Sequence, residues 1–393
     1  MAGPFEVDRR SAMAGLSTLA LAGCGGAGST LTASEDAADA SLDTLAKAKG
    51  RRFGSAVSWS APDADAGSVQ NPDYAKLLNA ECGMVVPENE MKWQAIRPGP
   101  DSYDFSRMDD IVRWAKTNGQ EVRGHTLLWH RPEWFPDWLN TYDFGANPRA
   151  EAERLLASHI RTVTDRYDGV ISSYDVVNEA IDHDTNAPIE TSLSRAMGSP
   201  EAALDLAFHT AREQLPQGEL VYNDYMSWEP AHAGHVADVL RLLEGFKKRG
   251  TPVDALGIQS HIEMFELDPS TGLGPYKERA WRDFLDEVTG MGYRLLVTEF
   301  DVKDKALPAD IAVRDARVAD FTRRYFDVML SYPQLGDILG WGMVDKYNWL
   351  QYFDPSKRPD GLEVRGSPYG SDYQSKPMRD AIAASLRGAT QAA

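Results

Sequence analysis

With 393 residues, 42% hydrophobic and 25% charged, the chain is long enough for one large barrel or two ordinary domains, either with a sizeable core. A formal net charge of −18 works against polyphosphate and anionic lipid surfaces as partners, because both need a basic patch, so nucleic acid is not expected as a substrate. No apolar run reaches the roughly 18 residues that a membrane-spanning helix needs.

The chain begins with a processing pattern. In "RRSAMAGLSTLALAGCGGAGS", Arg9 and Arg10 precede an apolar stretch from Ser11 to Gly23 that is too short to span a bilayer and too rich in Ala and Gly for a core helix. The paired arginines resemble a twin-arginine export signal, and "LAGC" resembles a bacterial lipobox, which implies a lipid anchor at Cys24 and a periplasmic or envelope-anchored protein. The alternative is a disordered tail with a chance arginine pair. With Cys24 acylated, Cys82 stands alone and no internal disulfide is available. Residues 1–23 therefore read as an export signal and 24–45, rich in Gly, Ala, Ser, Thr and Asp, as a flexible tether. Residues 46–393 read as one folded body, expected to be a monomer.

Within that body eight apolar, β-branched runs alternate with amphipathic stretches at intervals of roughly 30 to 50 residues. They are "RFGSAVS", "CGMVVPE", "EVRGHTLLW", "ISSYDVVNE", "ELVYNDY", "ALGIQSHI", "RLLVTEFDV" and "DILGWGMVD". Between them lie helical patterns such as "RMDDIVRWAKTNG" and "HAGHVADVLRLLEGFKKRG". In the latter, Val236, Val239, Leu240, Leu243 and Phe246 fall at helical spacing and Gly250 is a natural stop. Eight βα units with no Pro/Ser-rich linker predict an α/β fold, a single (β/α)8 TIM barrel with enlarged loops.

Polar residues gather at the C-terminal ends of these runs: Glu88, Asn89 and Glu90, then His125 with Trp129, Asn178 with Glu179, and Asn223 with Asp224. Gln259 and His261, Glu299 and Asp301, and Trp341 and Asp345 complete the series. In such a barrel all these ends open on one face, where βα loops build active sites. Two glutamates, Glu179 and Glu299, end apolar runs four and seven, on opposite sides of the barrel. Glycoside hydrolysis needs two carboxyl groups, one protonated and one ionised, facing across the scissile bond; a retaining enzyme holds them about 5 to 5.5 Å apart. His261, at the end of run six, is placed to hold Glu299 ionised as the nucleophile. Glu179, with Asn178 beside it and no cation next to it in sequence, is expected to rise toward a working acid/base. Taken singly, each glutamate also fits a barrel-rim salt bridge or a helix cap, and Glu90, Asp224, Asp301 and Asp345 are read as structural groups of that kind.

Other chemistries find little support. His125 and His130, or His232 and His235, form no metal-ligand pattern, and no metal or other cofactor is expected. His125 reads as a donor to a sugar hydroxyl and the helix pair His232 and His235 as solvated. There is no dinucleotide or P-loop glycine motif after a strand and no G-x-S-x-G elbow. Ten tryptophans suit sugar rings, although most tryptophan is core packing.

From about Phe53 to Met378 the chain resembles glycoside hydrolase family 10, the endo-β-1,4-xylanases. The motifs that carry the resemblance are "ENEMKW" at 88–93, "GHTLLWH" at 124–130, "DVVNEA" at 175–180, "GIQSHI" at 257–262, "VTEFDV" at 297–302, and Trp341 to Trp349. The resemblance implies a retaining reaction on xylan and xylo-oligosaccharides, with Glu179 as acid/base and Glu299 as nucleophile. It also implies Asn178 on the sugar 2-hydroxyl, and His261 and Gln259 in support of the nucleophile and that sugar. Glu88, Asn89 and Lys92 would bind the non-reducing side, while His125, Trp129, Trp341 and Trp349 frame the rings, Trp349 crowding out a hydroxymethyl group. Tyr174, Phe300 and Asn348 depart from the family's usual residues. So does "WHRPEWF", which is shorter than usual and lacks the glutamine that often follows the second histidine. Two rival readings remain, a barrel glycosidase acting on β-glucans and a lipid-anchored carbohydrate binder that does not cut; the intact glutamate pair argues against the second.

Overall fold

The computed structural model describes residues 40–182 and 184–393; the export signal, Cys24 and the tether up to residue 39 lie outside them. Eight parallel strands form from the eight apolar runs: β1 (Phe53–Val57), β2 (Met84–Pro87), β3 (Glu121–Trp129), β4 (Ile171–Asn178), β5 (Glu219–Asp224), β6 (Ala255–Ile258), β7 (Arg294–Lys303) and β8 (Leu335–Gly340). Each pairs with the next, and the ring closes where Phe53, Gly54 and Ser55 of β1 pair with Ile338, Leu339 and Gly340 of β8. Strands covered on both faces need no polar alternation, which explains why β1, β2 and β6 are buried throughout. At Gly124 in β3 a side chain would meet the Tyr174 ring of β4 at 2.2 Å, so the glycine admits the aromatic that stands there.

Helices follow the strands as the alternation requires, among them Ser106–Thr117, Pro148–Arg166, Pro200–Gln214, Ala233–Arg249, Glu278–Gly290 and Ile311–Met329. Gly250 ends the fourth of these in the left-handed conformation, φ 72°. The buried stripe of that helix runs His235, Asp238, Val239, Leu242, Leu243 and Phe246, while Val236 and Leu240 are only partly covered. The stripe is therefore rotated by about one position from the one expected, and this corrects the reading of His235 as solvated: it is turned inward. His232 is half-buried too, its Nε2 3.2 Å from Glu263.

Two further corrections concern boundaries. The folded body begins before Ala46: Ser41 caps a helix, Leu42–Lys47, whose Leu42 and Ala46 are fully buried. Asp43 of this turn accepts the Phe53 amide at 3.1 Å, and Glu81 accepts the Leu42 amide at 2.8 Å, so the turn is tied to β1 and to the helix Pro72–Glu81. Run six also breaks. β6 ends at Ile258, Ser260 takes φ 64°, and the short strand His261–Glu263 then pairs with Asp301, Val302 and Lys303 of β7.

Candidate active site

At the C-terminal end of β4 the chain turns abruptly. Glu179 has φ 51°, a left-handed conformation that a non-glycine residue occupies at a cost and that concentrates at functional positions. Its amide donates to the Asn223 carbonyl of β5 at 2.9 Å, which anchors the turn. Glu299, by contrast, lies within β7, its amide bonded to the Gln259 carbonyl at 3.0 Å.

A chain of amides links the two carboxylates. Gln259 Nε2 donates to Glu179 Oε1 at 2.8 Å and approaches Asn178 Oδ1 at 3.5 Å. Asn223 Nδ2 donates both to Asn178 Oδ1 and to Glu299 Oε1, each at 2.8 Å, and Thr298 Oγ1 fixes Asn223 Oδ1 at 2.6 Å. Gln259 is expected to support the nucleophile and the sugar at the cleavage point; its carbonyl accepts the Glu299 amide, while its side chain serves Glu179. Asn223 takes the place beside Glu299. Asn178, almost fully buried with its Oδ1 doubly engaged, retains its Nδ2 as a donor.

The two environments differ in charge. His261 Nε2 lies 3.3 Å from Glu299 Oε2 and its Nδ1 2.8 Å from Asp301 Oδ1. Burial opposes the imidazolium, but Asp301 and Glu299 outweigh it and push His261 up to about 9. For Glu299, burial is likewise opposed and outweighed, by the His261 bond and the nearby charges of His125 and His261, so its carboxyl is held below the usual range. Glu179 goes the other way: desolvation, with help from Asp224 and Glu299, raises it against the Gln259 bond and the Arg131 charge.

The remaining candidates surround this pair. Trp129 Nε1 donates to Glu179 Oε2 at 3.0 Å, and its ring stacks on Trp134 with centroids 4.4 Å apart. Lys92 sits 4.5 Å over the same Trp129 ring and donates to Asn89 Oδ1 at 3.0 Å. Next to them Glu88 is pushed up to about 7 by burial, against Lys92. His125 gives Nδ1 to Asp175 at 2.8 Å and meets Trp341 edge-on at 5.3 Å. Trp349 Nε1 donates to Asp301 Oδ2 at 2.7 Å, and its ring lies 4.9 Å from His261. Asp301 is thus more than a rim group, since it orients both His261 and Trp349.

Arg131 was missed. Its Nε lies 3.1 Å from Glu179 Oε2, a cation that sequence proximity does not reveal because 48 positions separate them, yet it stands directly after the recognised "WH" pair. Asp224 and Tyr225 were also missed as neighbours of Glu179, and His235 lies behind them: its Nε2 meets Asp224 Oδ1 at 3.0 Å and its ring stacks on Tyr225 at 4.1 Å. Among the described residues no three His, Cys, Asp or Glu side chains converge on a common metal position, and no helix is long and apolar enough to cross a membrane.

The model of the family described as Glycosyl hydrolase family 10 matches residues 41–385. A β-1,4-xylanase of Dictyoglomus thermophilum is 31% identical over 73% of this chain and 78% of its own. The crystal structure of native xylanase 10B from Thermotoga maritima superposes with TM-score 0.75 at 27% identity, covering 88% of this chain and 98% of that one. Xylanase 10B from Thermotoga petrophila, solved with xylobiose, matches equally well: TM-score 0.75 at 28% identity, with 88% and 97% covered. On the match from residue 41 to 385 and the barrel that carries it, the chain belongs to glycosyl hydrolase family 10.

Proposed function

We propose that the protein is an endo-β-1,4-xylanase that hydrolyses internal bonds of xylan with retention of configuration. One observation carries the reading: two largely shielded carboxyl groups, one directly after β4 and one within β7, are linked through Gln259, Asn178 and Asn223, one held below its ordinary range and the other raised above it. Glu299, ionised, attacks the anomeric carbon while Glu179, protonated, gives its proton to the departing oxygen, leaving a glycosyl ester on Glu299. Glu179, now ionised, takes a proton from water as the water attacks that carbon, which frees Glu299 and restores both groups. His261 and Asn223 hold the nucleophile's two oxygens and Gln259 aims the acid/base.

Substrate preference follows from the walls. Trp349 is pinned by Asp301 against His261, and we assign to this wall the crowding of a glucose hydroxymethyl group that would favour a pentose ring. Lys92 and Asn89 beside Trp129 suit xylose hydroxyls on the non-reducing side. The relative solved with xylobiose supports xylo-oligosaccharides as ligands. We assign a monomer exported and held at the cell envelope by acylated Cys24; palmitate labelling that persists in Cys24→Ala would remove the anchor.

NMR of the first anomer released from xylan tests the whole reading. The β-anomer is expected; the α-anomer would overturn retention, and no new reducing ends would favour a binder. Faster cleavage of carboxymethyl-cellulose than of xylan would favour the glucanase.

A further inference from the structure

The cationic neighbour in contact with Glu179 is Arg131, which lies in the segment "WHRPEWF" that leaves β3. Its Nη2 donates to the Ile181 carbonyl and to the Tyr225 hydroxyl, both at 3.1 Å, and the guanidinium lies 5.5 Å from the Tyr225 ring centroid. A planar fork fixed at one end has little freedom left at the other. The free edge is the one turned to Glu179: Nε is 3.1 Å from Oε2 but makes no directed hydrogen bond, so the contact acts through charge. Trp129 supplies the directed bond to that same oxygen. We propose that Arg131 is a positioning residue for the leaving-group carboxylate, a fixed counter-charge that favours the base form of Glu179 needed in the second half-reaction over the acid form needed in the first. The proposal rests on the assignment of Glu179 as acid/base.

The physical case is a balance of fields. Glu179 faces Trp129 and Arg131 from the β3 end, Asp224 and Tyr225 from the β5 end, Gln259 after β6, Glu299 on β7, and Lys92 after β2. Asp224 is itself engaged by His235 and by the Tyr222 hydroxyl. Desolvation and two carboxylates drive Glu179 toward its proton, and Arg131 is the cation that opposes them at contact distance. Both partners keep a small exposed fraction, 14% and 15% of their side chains, so the charge is only partly screened. Without Arg131 the carboxyl would hold its proton to higher pH. The first step would then survive further into alkali, and the second, which needs the ionised base, would fail sooner in acid.

The test measures pH profiles on an aryl β-xylobioside with a good leaving group and on xylohexaose, for the wild type, Arg131→Gln, Arg131→Lys and Tyr225→Phe. For Arg131→Gln the alkaline limb of kcat/KM on xylohexaose should move up in pH, with activity on that limb, relative to its own maximum, rising about threefold. The acid limb of kcat on the aryl substrate, where the second step sets the rate, should move the same way and lose about threefold at low pH. Arg131→Lys keeps the charge and should restore most of the profile. Tyr225→Phe frees the fork without removing it and should give a smaller shift of the same sign, which keeps the proposal testable if Arg131→Gln folds poorly. A uniform loss at every pH with both limbs in place would make Arg131 merely structural and overturn the proposal. Glu179→Ala separates the two readings: if its kcat/KM on the aryl substrate, which reports the first step, falls as far as on xylohexaose, the acid/base assignment itself falls.

Discussion

Glu179 and Glu299 are the same side chain, both largely shielded from solvent though Glu299 the more deeply, yet the two sides of the groove treat them in opposite ways. On the β7 side, a histidine, itself charged by Asp301, is hydrogen-bonded to the carboxylate and holds it ionised. On the β4 side the carboxyl receives an amide, an indole and an off-axis guanidinium while Asp224 and Glu299 press from behind, and desolvation prevails. Burial alone pushes any carboxyl up; whether a charged donor is aimed along a hydrogen bond decides which one stays ionised. A retaining glycosidase needs that asymmetry, because two identical carboxyl groups could not divide the work of acid and nucleophile.

The largest expected break of this asymmetry is to remove each glutamate in turn. Glu299→Ala should abolish hydrolysis of every substrate, whereas Glu179→Ala should lose about 10²- to 10⁴-fold on xylan yet spare the first step on aryl glycosides whose leaving groups need little protonation. Stopped-flow detection of phenolate release reads the difference, and equal losses on both substrates would contradict the division of roles. A smaller effect is expected at the bridge. Asn223→Ala removes the shared donor between Asn178 and Glu299 and should lower kcat by about tenfold, with KM changing less, in steady-state assays on xylohexaose.

The smallest effect is on stability and has a defined pH sense. His261 is raised from the ordinary histidine range to about 9, so its charged pairing stabilises the fold fully below the unfolded value and this contribution fades as pH climbs through about 9. Thermal melts of the wild type and His261→Gln should therefore differ most in mildly acidic buffer and converge above pH 9. A gap that stays constant or widens with pH would show that His261 is not charged by its two acidic neighbours.

Much of this molecule was legible in one dimension. Period and run length announced eight strands, and the barrel followed because apolar runs alternating with amphipathic helices have few other ways to bury both faces of a parallel sheet. The polar residues closing each run marked the catalytic face, and the two glutamates that end apolar runs were visible as anomalies. Pairings were not legible. Trp129 meets Glu179 across 50 positions and Asn223 meets Glu299 across 76, because parallel strands set residues of distant segments side by side and register alone chooses the partners. Gln259 serves both glutamates, its carbonyl on the Glu299 amide and its side chain on Glu179, and His235 turned inward because a helix rotated by one position exchanges a solvated face for a buried one. Residue type and order thus determined the architecture and the kind of chemistry. Which carboxyl keeps its proton was decided only in three dimensions, since electric fields depend on distances through space and not on separation along the chain.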